Sequence, residues 1–315
     1  MLLKEFMTRL TINIIGKTID TGLQFVPRRY KNHFHENSLK PPLQVGAKIN
    51  NWTYKELLSA ESGIIHRYFY CPGPKKDAPV FLFLHGLIFD SRNFINQEKL
   101  SDTWQLIAYD FPESSEAYRG DMNDFRYLID DFLDCLKIDT LYLCGVSFGG
   151  GIALRYSAAH IRRIKALVLV SSFVMNSSKY DRIKSRGIAK TLLKHPDYKI
   201  HWLIHTILKF SFSGKKNPLS PLKQMIHIKQ IDWYRQVIKS ITTCEGPEDA
   251  AQIKCPVLAL CGSNDSLVSI KQALSIPKFI PHSRFKVIEN GNHAMMYLQG
   301  EELSEIIRNF CNSNT

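Results

Sequence analysis

Three side chains in this sequence form a set able to break an acyl bond: Ser147, Asp265 and His293. A serine hydroxyl is a feeble nucleophile until a base takes its proton. A histidine near neutral pH is the natural base, and a carboxylate is needed to fix its tautomer and steady the imidazolium. Ser147 lies in Gly145-Val146-Ser147-Phe148-Gly149, Asp265 ends Gly262-Ser263-Asn264-Asp265, and His293 lies in Gly291-Asn292-His293-Ala294. A Gly-x-Ser-x-Gly pentapeptide arises by chance in roughly one chain in ten of this length, so its setting has to carry the weight. The apolar run Leu141-Tyr142-Leu143-Cys144 before it reads as a buried strand, and Ile152, Ala153, Leu154 and Tyr156 after it read as a helix. A chain that passes from strand to helix so quickly puts the serine on a sharp, strained turn. Gly145 and Gly149 then have a steric duty, because a side chain at either place would strike the neighbouring strand or helix.

The elements that must hold this set follow from the rest of the pattern. Strands are predicted at Gly63–Tyr70, Val80–Leu84, Gln105–Asp110, the run into Gly145, Ala166–Val170, Pro256–Cys261 and Phe285–Ile288. Helices are predicted at about Ser91–Leu100, Asp121–Leu136, from the serine turn to His160, Ser269–Ile276 and Glu301–Phe310. Strands alternating with helices imply an α/β fold with a mostly parallel sheet covered on both faces, and in such sheets chemistry sits beyond the carboxyl ends of the strands. His85-Gly86, Asp110 and Ser147 each follow a predicted strand there. Asp110 is accordingly the rival to Asp265 as the carboxylate behind His293.

With His85-Gly86, the serine turn, Asp265 and His293 in that order, the chain resembles the α/β-hydrolase superfamily over roughly Gly63–Phe310. It is similar to the branch with a helical cap inserted after the sixth strand. The resemblance implies Ser147 as nucleophile, His293 as base and Asp265 as orienter, with the N–H groups of Leu87 and Phe148 forming an oxyanion hole. It makes His85, Gly86, Gly145 and Gly149 structural neighbours of the site, and it requires neither a metal nor an organic cofactor. Carboxylic esters with apolar or lipid-like acyl groups are the expected substrates. A C–C bond hydrolase, thioesterase, amidase or acyltransferase would use the same triad, and a ligand-binding relative with little turnover is the alternative of another class. Two departures stand out. Many relatives carry an Asp-x-Pro-Gly-x-Gly-x-Ser-like loop where this chain reads Asp110-Phe111-Pro112-Glu113-Ser114-Ser115-Glu116, without glycines. The nucleophile is serine, whereas epoxide hydrolases and haloalkane dehalogenases place aspartate there, which disfavours both activities.

Composition bounds the remainder. The chain has 315 residues, 44% hydrophobic and 22% charged, with no run of about 18 apolar residues to span a membrane. Residues 1–43 are expected to form a helical extension, with Leu2, Leu3, Phe6, Leu10, Ile14 and Ile15 near helical spacing and no convincing secretory signal. The hydrolase core is expected over residues 44–172 and 254–315, and a basic helical cap over residues 173–253, where no strand run occurs. Between Ser171 and Ser240 there are fourteen basic residues against three acidic ones, nearly the whole net charge of +12. That face is read as solvated, with an anionic membrane surface as its candidate peripheral contact; nucleic acid is not expected, since no binding motif accompanies the charge. His201 and His205 stand four apart, but with no acidic partner or third ligand they are read as a helix face rather than a metal site. Seven cysteines with no Cys-x-x-Cys pair suggest reduced thiols in a cytoplasm-like compartment.

Overall fold

Short apolar runs separated by turn residues must pair side by side to satisfy their backbone groups, and here they do so in one sheet. The computed structural model describes residues 43–87, 89–112, 122–176, 186–187, 189–190, 193–196, 199, 231–244 and 246–313. Among them are nine strands: Lys48–Ile49 (β1), Trp52–Leu58 (β2), Ile65–Cys71 (β3), Val80–Leu84 (β4), Gln105–Asp110 (β5), Leu141–Val146 (β6), Ile164–Val170 (β7), Val257–Gly262 (β8) and Arg284–Ile288 (β9). Their spatial order is β1-β2-β3-β5-β4-β6-β7-β8-β9. The pairs from β1 to β3 and the β3–β5 pair are antiparallel, and all pairs from β5 to β9 are parallel.

The central strands β4, β6, β7 and β8 carry one charged residue between them, Lys165, as strands covered on both faces require. Alternation divides their side chains: Leu82, Leu84, Leu143, Leu167 and Leu169 enter one core, while Phe81, Phe83, Tyr142, Cys144, Val168 and Val170 enter the other. The first core is covered by Met122–Cys135 (α1), Phe148–Ala159 (α2), Ile231–Thr243 (α3) and Gly246–Gln252 (α4). In α1, Phe125, Leu128, Ile129, Phe132 and Leu133 recur at helical spacing and are all buried. The second core is covered by the 3-10 helix Ser91–Asp102 and by Gly300–Asn312 (α5).

The helix expected at about Ser91–Leu100 is present over Ser91–Asp102 and is of the 3-10 type. Ser91, Phe94, Gln97 and Leu100 are buried at intervals of three, the period of that helix. Asp90 caps its start by accepting the Arg92 N–H at 2.9 Å. The predicted helix Ser269–Ile276 is split into Ile270–Ala273 and Ser275–Phe279. Pro277 explains the break, since its ring would meet the carbonyl of Ala273 in a continuous helix.

The described ends of the segment inserted between β7 and β8 lie together. Asn176 is buried, with a left-handed φ of 51°, and its side-chain amide donates to Ile241 O at 2.9 Å and Cys244 O at 2.8 Å. Gly246 packs on Met175 so closely that a Cβ would overlap the Met175 carbonyl oxygen. Arg155 of α2 meets Asp249 of α4 at 2.9 Å, tying the exit of the insertion to the helix that follows Ser147. The expected N-terminal helix, the His201/His205 pair and most of the basic face lie outside the described residues.

Candidate active site

Ser147 occupies the turn between β6 and α2 with φ 54° and ψ −116°, a region that costs a non-glycine residue about 1–3 kcal/mol. The strain is held from several sides. The Ser147 N–H donates to Val170 O at 2.9 Å, and its carbonyl accepts from Gly150 N (3.0 Å), Gly151 N (3.2 Å) and Ser172 Oγ (3.1 Å). The glycines explain how the chain fits. A Cβ at Gly145 would overlap the Gly149 carbonyl, and one at Gly149 would overlap the carbonyls of Leu84 and His85. Gly86 faces Ser147, with its would-be Cβ 3.5 Å from Ser147 Cβ.

The turn also leaves donors unused. As the first residue of α2, Phe148 has an N–H with no intrahelical partner, and Leu87 follows the glycine beside Ser147. Neither N–H donates a hydrogen bond among the described residues. His85 is fully buried; its Nδ1 lies 2.8 Å from Gly86 O, and its Nε2 accepts the Phe111 N–H at 3.4 Å. Those two contacts brace the His85-Gly86 turn.

Asp265 and His293 come together at the same end of the sheet, in the loops after β8 and β9. His293 Nδ1 stands 3.0 Å from Asp265 Oδ2 and 3.1 Å from Oδ1. The Asp265 side chain is fully buried and His293 is 6% exposed, so the pair is shielded from water. Asp265 Oδ1 also accepts the N–H groups of Leu267 and Val268, each at 2.9 Å. Burial pushes its carboxyl pKa up, but His293, by hydrogen bond and charge, and the Val268 amide outweigh that and hold it below the usual carboxylate range. It is therefore ionised at neutral pH. The two loops are locked by glycines, since a Cβ at Gly262 would overlap the Gly291 carbonyl, and Asn264 N donates to Gly291 O at 2.8 Å. Among the described residues no hydrogen bond joins Ser147 Oγ to His293, a contact that commonly tightens only with substrate bound.

Asp110, the rival orienter, is engaged by other groups. Its carboxylate accepts Ser91 N–H at 2.7 Å, Ser91 O–H at 2.9 Å and Tyr54 O–H at 3.2 Å, fixing the start of the 3-10 helix against the sheet. That helix in turn steadies the chain just after His293, because Asn96 and Gln97 donate to Tyr297 O (2.7 Å) and Met296 O (2.5 Å).

The sequence model of a family described as alpha/beta hydrolase fold matches residues 79–193. The inferred esterase/lipase 2 of Mycoplasma pneumoniae is 27% identical over 256 residues, 75% of this chain and 93% of that protein. Monoacylglycerol lipase ABHD6 of Rattus norvegicus is 22% identical over 292 residues, 84% of this chain and 86% of that protein. The crystal structure of the enol-lactonase from Burkholderia xenovorans LB400 superposes with a TM-score of 0.67 over 82% of this chain and 99% of its own, at 17% identity. This chain has the α/β-hydrolase fold.

Two features of this site escape sequence reasoning. Ser172 Oγ donates at 3.1 Å to both Ser147 O and Val170 O, buttressing the turn from the adjacent strand. Its only signal was a serine at a strand end, which is commonplace. The second is an aromatic wall beside Ser147. The Phe148 ring lies 5.3 Å from Phe125, 6.4 Å from Phe111 and 6.2 Å from Trp233 of α3. Trp233 and Phe148 were legible as apolar residues, but their meeting depends on how α3 crosses α1.

Proposed function

We propose that this chain is a serine hydrolase that cleaves carboxylic esters with apolar acyl groups. Ser147 Oγ attacks the ester carbonyl carbon as His293 Nε2 takes its proton, and the carbonyl electron pair moves onto oxygen. The N–H groups of Leu87 and Phe148, which donate to none of the described residues, receive that oxyanion, each worth about 3 kcal/mol in the transition state. Collapse breaks the bond to the alcohol oxygen, which takes the proton from His293. Water, deprotonated by His293, then releases the acid and restores Ser147. Asp265 holds the proton of His293 on Nδ1, which leaves Nε2 free to act.

The observation that carries this reading is the buried, ionised Asp265 bonded to His293 at the sheet end where Ser147 is held in strain. The names of the relatives, an esterase/lipase and a monoacylglycerol lipase, support esters over amides and C–C bonds. The wall of Phe111, Phe125, Phe148 and Trp233 supports an apolar acyl group. Trp233 of α3, whose ring meets Phe148, and the Asn176 junction support a cap role for the insertion over residues 173–253. The seven cysteines, all free thiols, support a reducing, cytoplasm-like compartment, and among the described residues no helix is long and apolar enough to cross a membrane. The test is labelling with a fluorophosphonate probe. Stoichiometric modification of Ser147, lost in Ser147→Ala and weakened in His293→Ala, is the expected result. A folded chain that takes no label would refute it.

A further inference from the structure

Arg186, Lys190 and Lys194 follow at intervals of four residues and line one groove of about 490 Å³ with Ala189, Leu193 and Thr242. The three cations are exposed, Ala189 is buried, and among the described residues lining the groove none is acidic. The rim is therefore cationic and the floor small and apolar. A spacing of four residues stacks the cations along one side of a helical turn, so their charges add at the same opening.

The groove is mechanically joined to the active site. Thr242 belongs to the last turn of α3, and Arg235 of the same helix donates to Leu193 O at 2.8 Å and His195 O at 2.7 Å. Those two bonds clamp the cationic segment to α3. Trp233, nine residues before Thr242, is the α3 side chain that rests on Phe148 beside the nucleophile. At 1.5 Å per residue the groove lies about 13 Å along the helix from that contact.

A cationic rim over an apolar floor matches the boundary of a bilayer, where phosphates lie outermost and glycerol and acyl carbons lie beneath. We propose that this groove seats the phosphate headgroups of an anionic phospholipid bilayer and docks the inserted segment on the membrane. The surrounding sequence fits, since fourteen basic residues face three acidic ones between Ser171 and Ser240. Docking there holds the insertion through α3, whose Trp233 rests on Phe148 beside Ser147. The idea deepens the ester-hydrolase reading, because apolar esters partition into that bilayer, yet the docking itself is measured without turnover.

The experiment is cosedimentation of the full chain with vesicles of pure phosphatidylcholine and of phosphatidylcholine mixed with phosphatidylglycerol, at low salt. Two triple variants are compared: Arg186→Gln/Lys190→Gln/Lys194→Gln in the groove, and Lys48→Gln/Lys75→Gln/Lys76→Gln on exposed positions of the sheet end and β3–β4 turn. They change net charge equally. Binding to the anionic vesicles is expected for the parent chain and the second variant, with a loss of about 100-fold in partitioning for the groove variant. Equal loss in both variants would reduce the effect to net charge and overturn the proposal, as would equal binding to neutral and anionic vesicles. Inorganic phosphate that displaces the chain far better than chloride of equal ionic strength would make the groove a site for free phosphate and overturn it too. Hydrolysis of a short water-soluble ester, measured alongside, separates the two readings. A chain that docks but cleaves no ester retains the membrane site and loses the hydrolase, and a chain that cleaves but does not dock does the reverse.

Discussion

Replacing Asp265 by asparagine tests the site through a proton rather than through a lost contact. In the native arrangement Oδ1 is pinned by the N–H groups of Leu267 and Val268 at 2.9 Å each, while Oδ2 faces His293 Nδ1 at 3.0 Å. Asparagine is nearly isosteric, so its oxygen must stay with the two backbone donors and its NH2 must take the place of Oδ2. That NH2 can only donate. The retained oxygen stays 3.1 Å from His293 Nδ1, but an NH2 at the nearer 3.0 Å position opposes a proton there, so Nδ1 accepts from it, the ring proton moves to Nε2, and the nitrogen that should take the proton of Ser147 already carries one. Enforcing the wrong tautomer in an equivalent triad costs about 10⁴-fold in kcat, or about 5.4 kcal/mol. We expect that loss in Asp265→Asn with KM little changed, and little loss of stability because the packing is kept. The assay is steady-state hydrolysis of a soluble ester, with the imidazole tautomer followed by nitrogen NMR of labelled histidine. Asp265→Ala imposes no tautomer, so asparagine should be no better than alanine. A folded asparagine variant that keeps more than about a tenth of kcat would refute the tautomer argument.

Three further outcomes follow from the packing and charges described above. Gly149→Ala drives a methyl into the carbonyls of Leu84 and His85, and should lower unfolding stability in urea by about 1–3 kcal/mol and abolish probe labelling of Ser147; a variant as stable and reactive as the parent would contradict the close packing of the turn. Trp233→Ala opens the aromatic wall, so kcat/KM for long-chain over short-chain esters should rise about tenfold; a parallel change at all chain lengths would show that Trp233 does not limit the acyl group. The third concerns His66, which is fully buried between Asp131 Oδ2 and Tyr109 OH, each at 2.8 Å. Burial pulls the His66 pKa below its ordinary 6.5 despite Asp131, so the unfolded chain binds more protons and stability falls as pH drops below about 6.5. Asp131 acts in the same direction at lower pH, because the hydroxyls of Ser62 and Ser59, together with His66, overcome its burial and lower its pKa. His66→Gln should therefore flatten the fall in urea stability between about pH 7 and pH 5, and an unchanged slope would exclude His66 as its source.

The parallel half of the sheet was legible because physics leaves it little choice. Val80–Leu84 and Gln105–Asp110 have the boundaries that their apolar runs predict, since a strand buried on both faces must be apolar and must end where polar residues begin. The antiparallel edge was not. Trp52–Leu58 mixes Lys55 and Glu56 with Trp52 and Tyr54, and one face of it meets water, so no run stands out. At the site, the order of Ser147, Asp265 and His293 along the chain was informative because each follows a strand of a parallel sheet. The left-handed φ of Ser147 could be argued only from its flanking glycines. The preference for Asp265 over Asp110 rested on order alone, and it is the approach of His293, with the Val268 amide behind it, that keeps Asp265 an ionised partner. The brace from Ser172 and the approach of Trp233 to Phe148 come from contacts between elements distant in sequence, which no local pattern encodes.

The junction at Asn176 bears on how such a chain can change over generations. Its amide joins carbonyls 65 and 68 residues downstream, so everything between enters and leaves the core at one point. A detour closed in this way can lengthen, shorten or be replaced at small entropic expense, because closure entropy grows only slowly with length. Ser147, Asp265 and His293 stay on one side of the junction, and Trp233 and the cationic groove stay on the other. Selection can thus redraw what the protein accepts, and where it settles, without disturbing the machinery that cuts. A graft of a relative's insertion between Asn176 and Cys244 would be the laboratory version of that history.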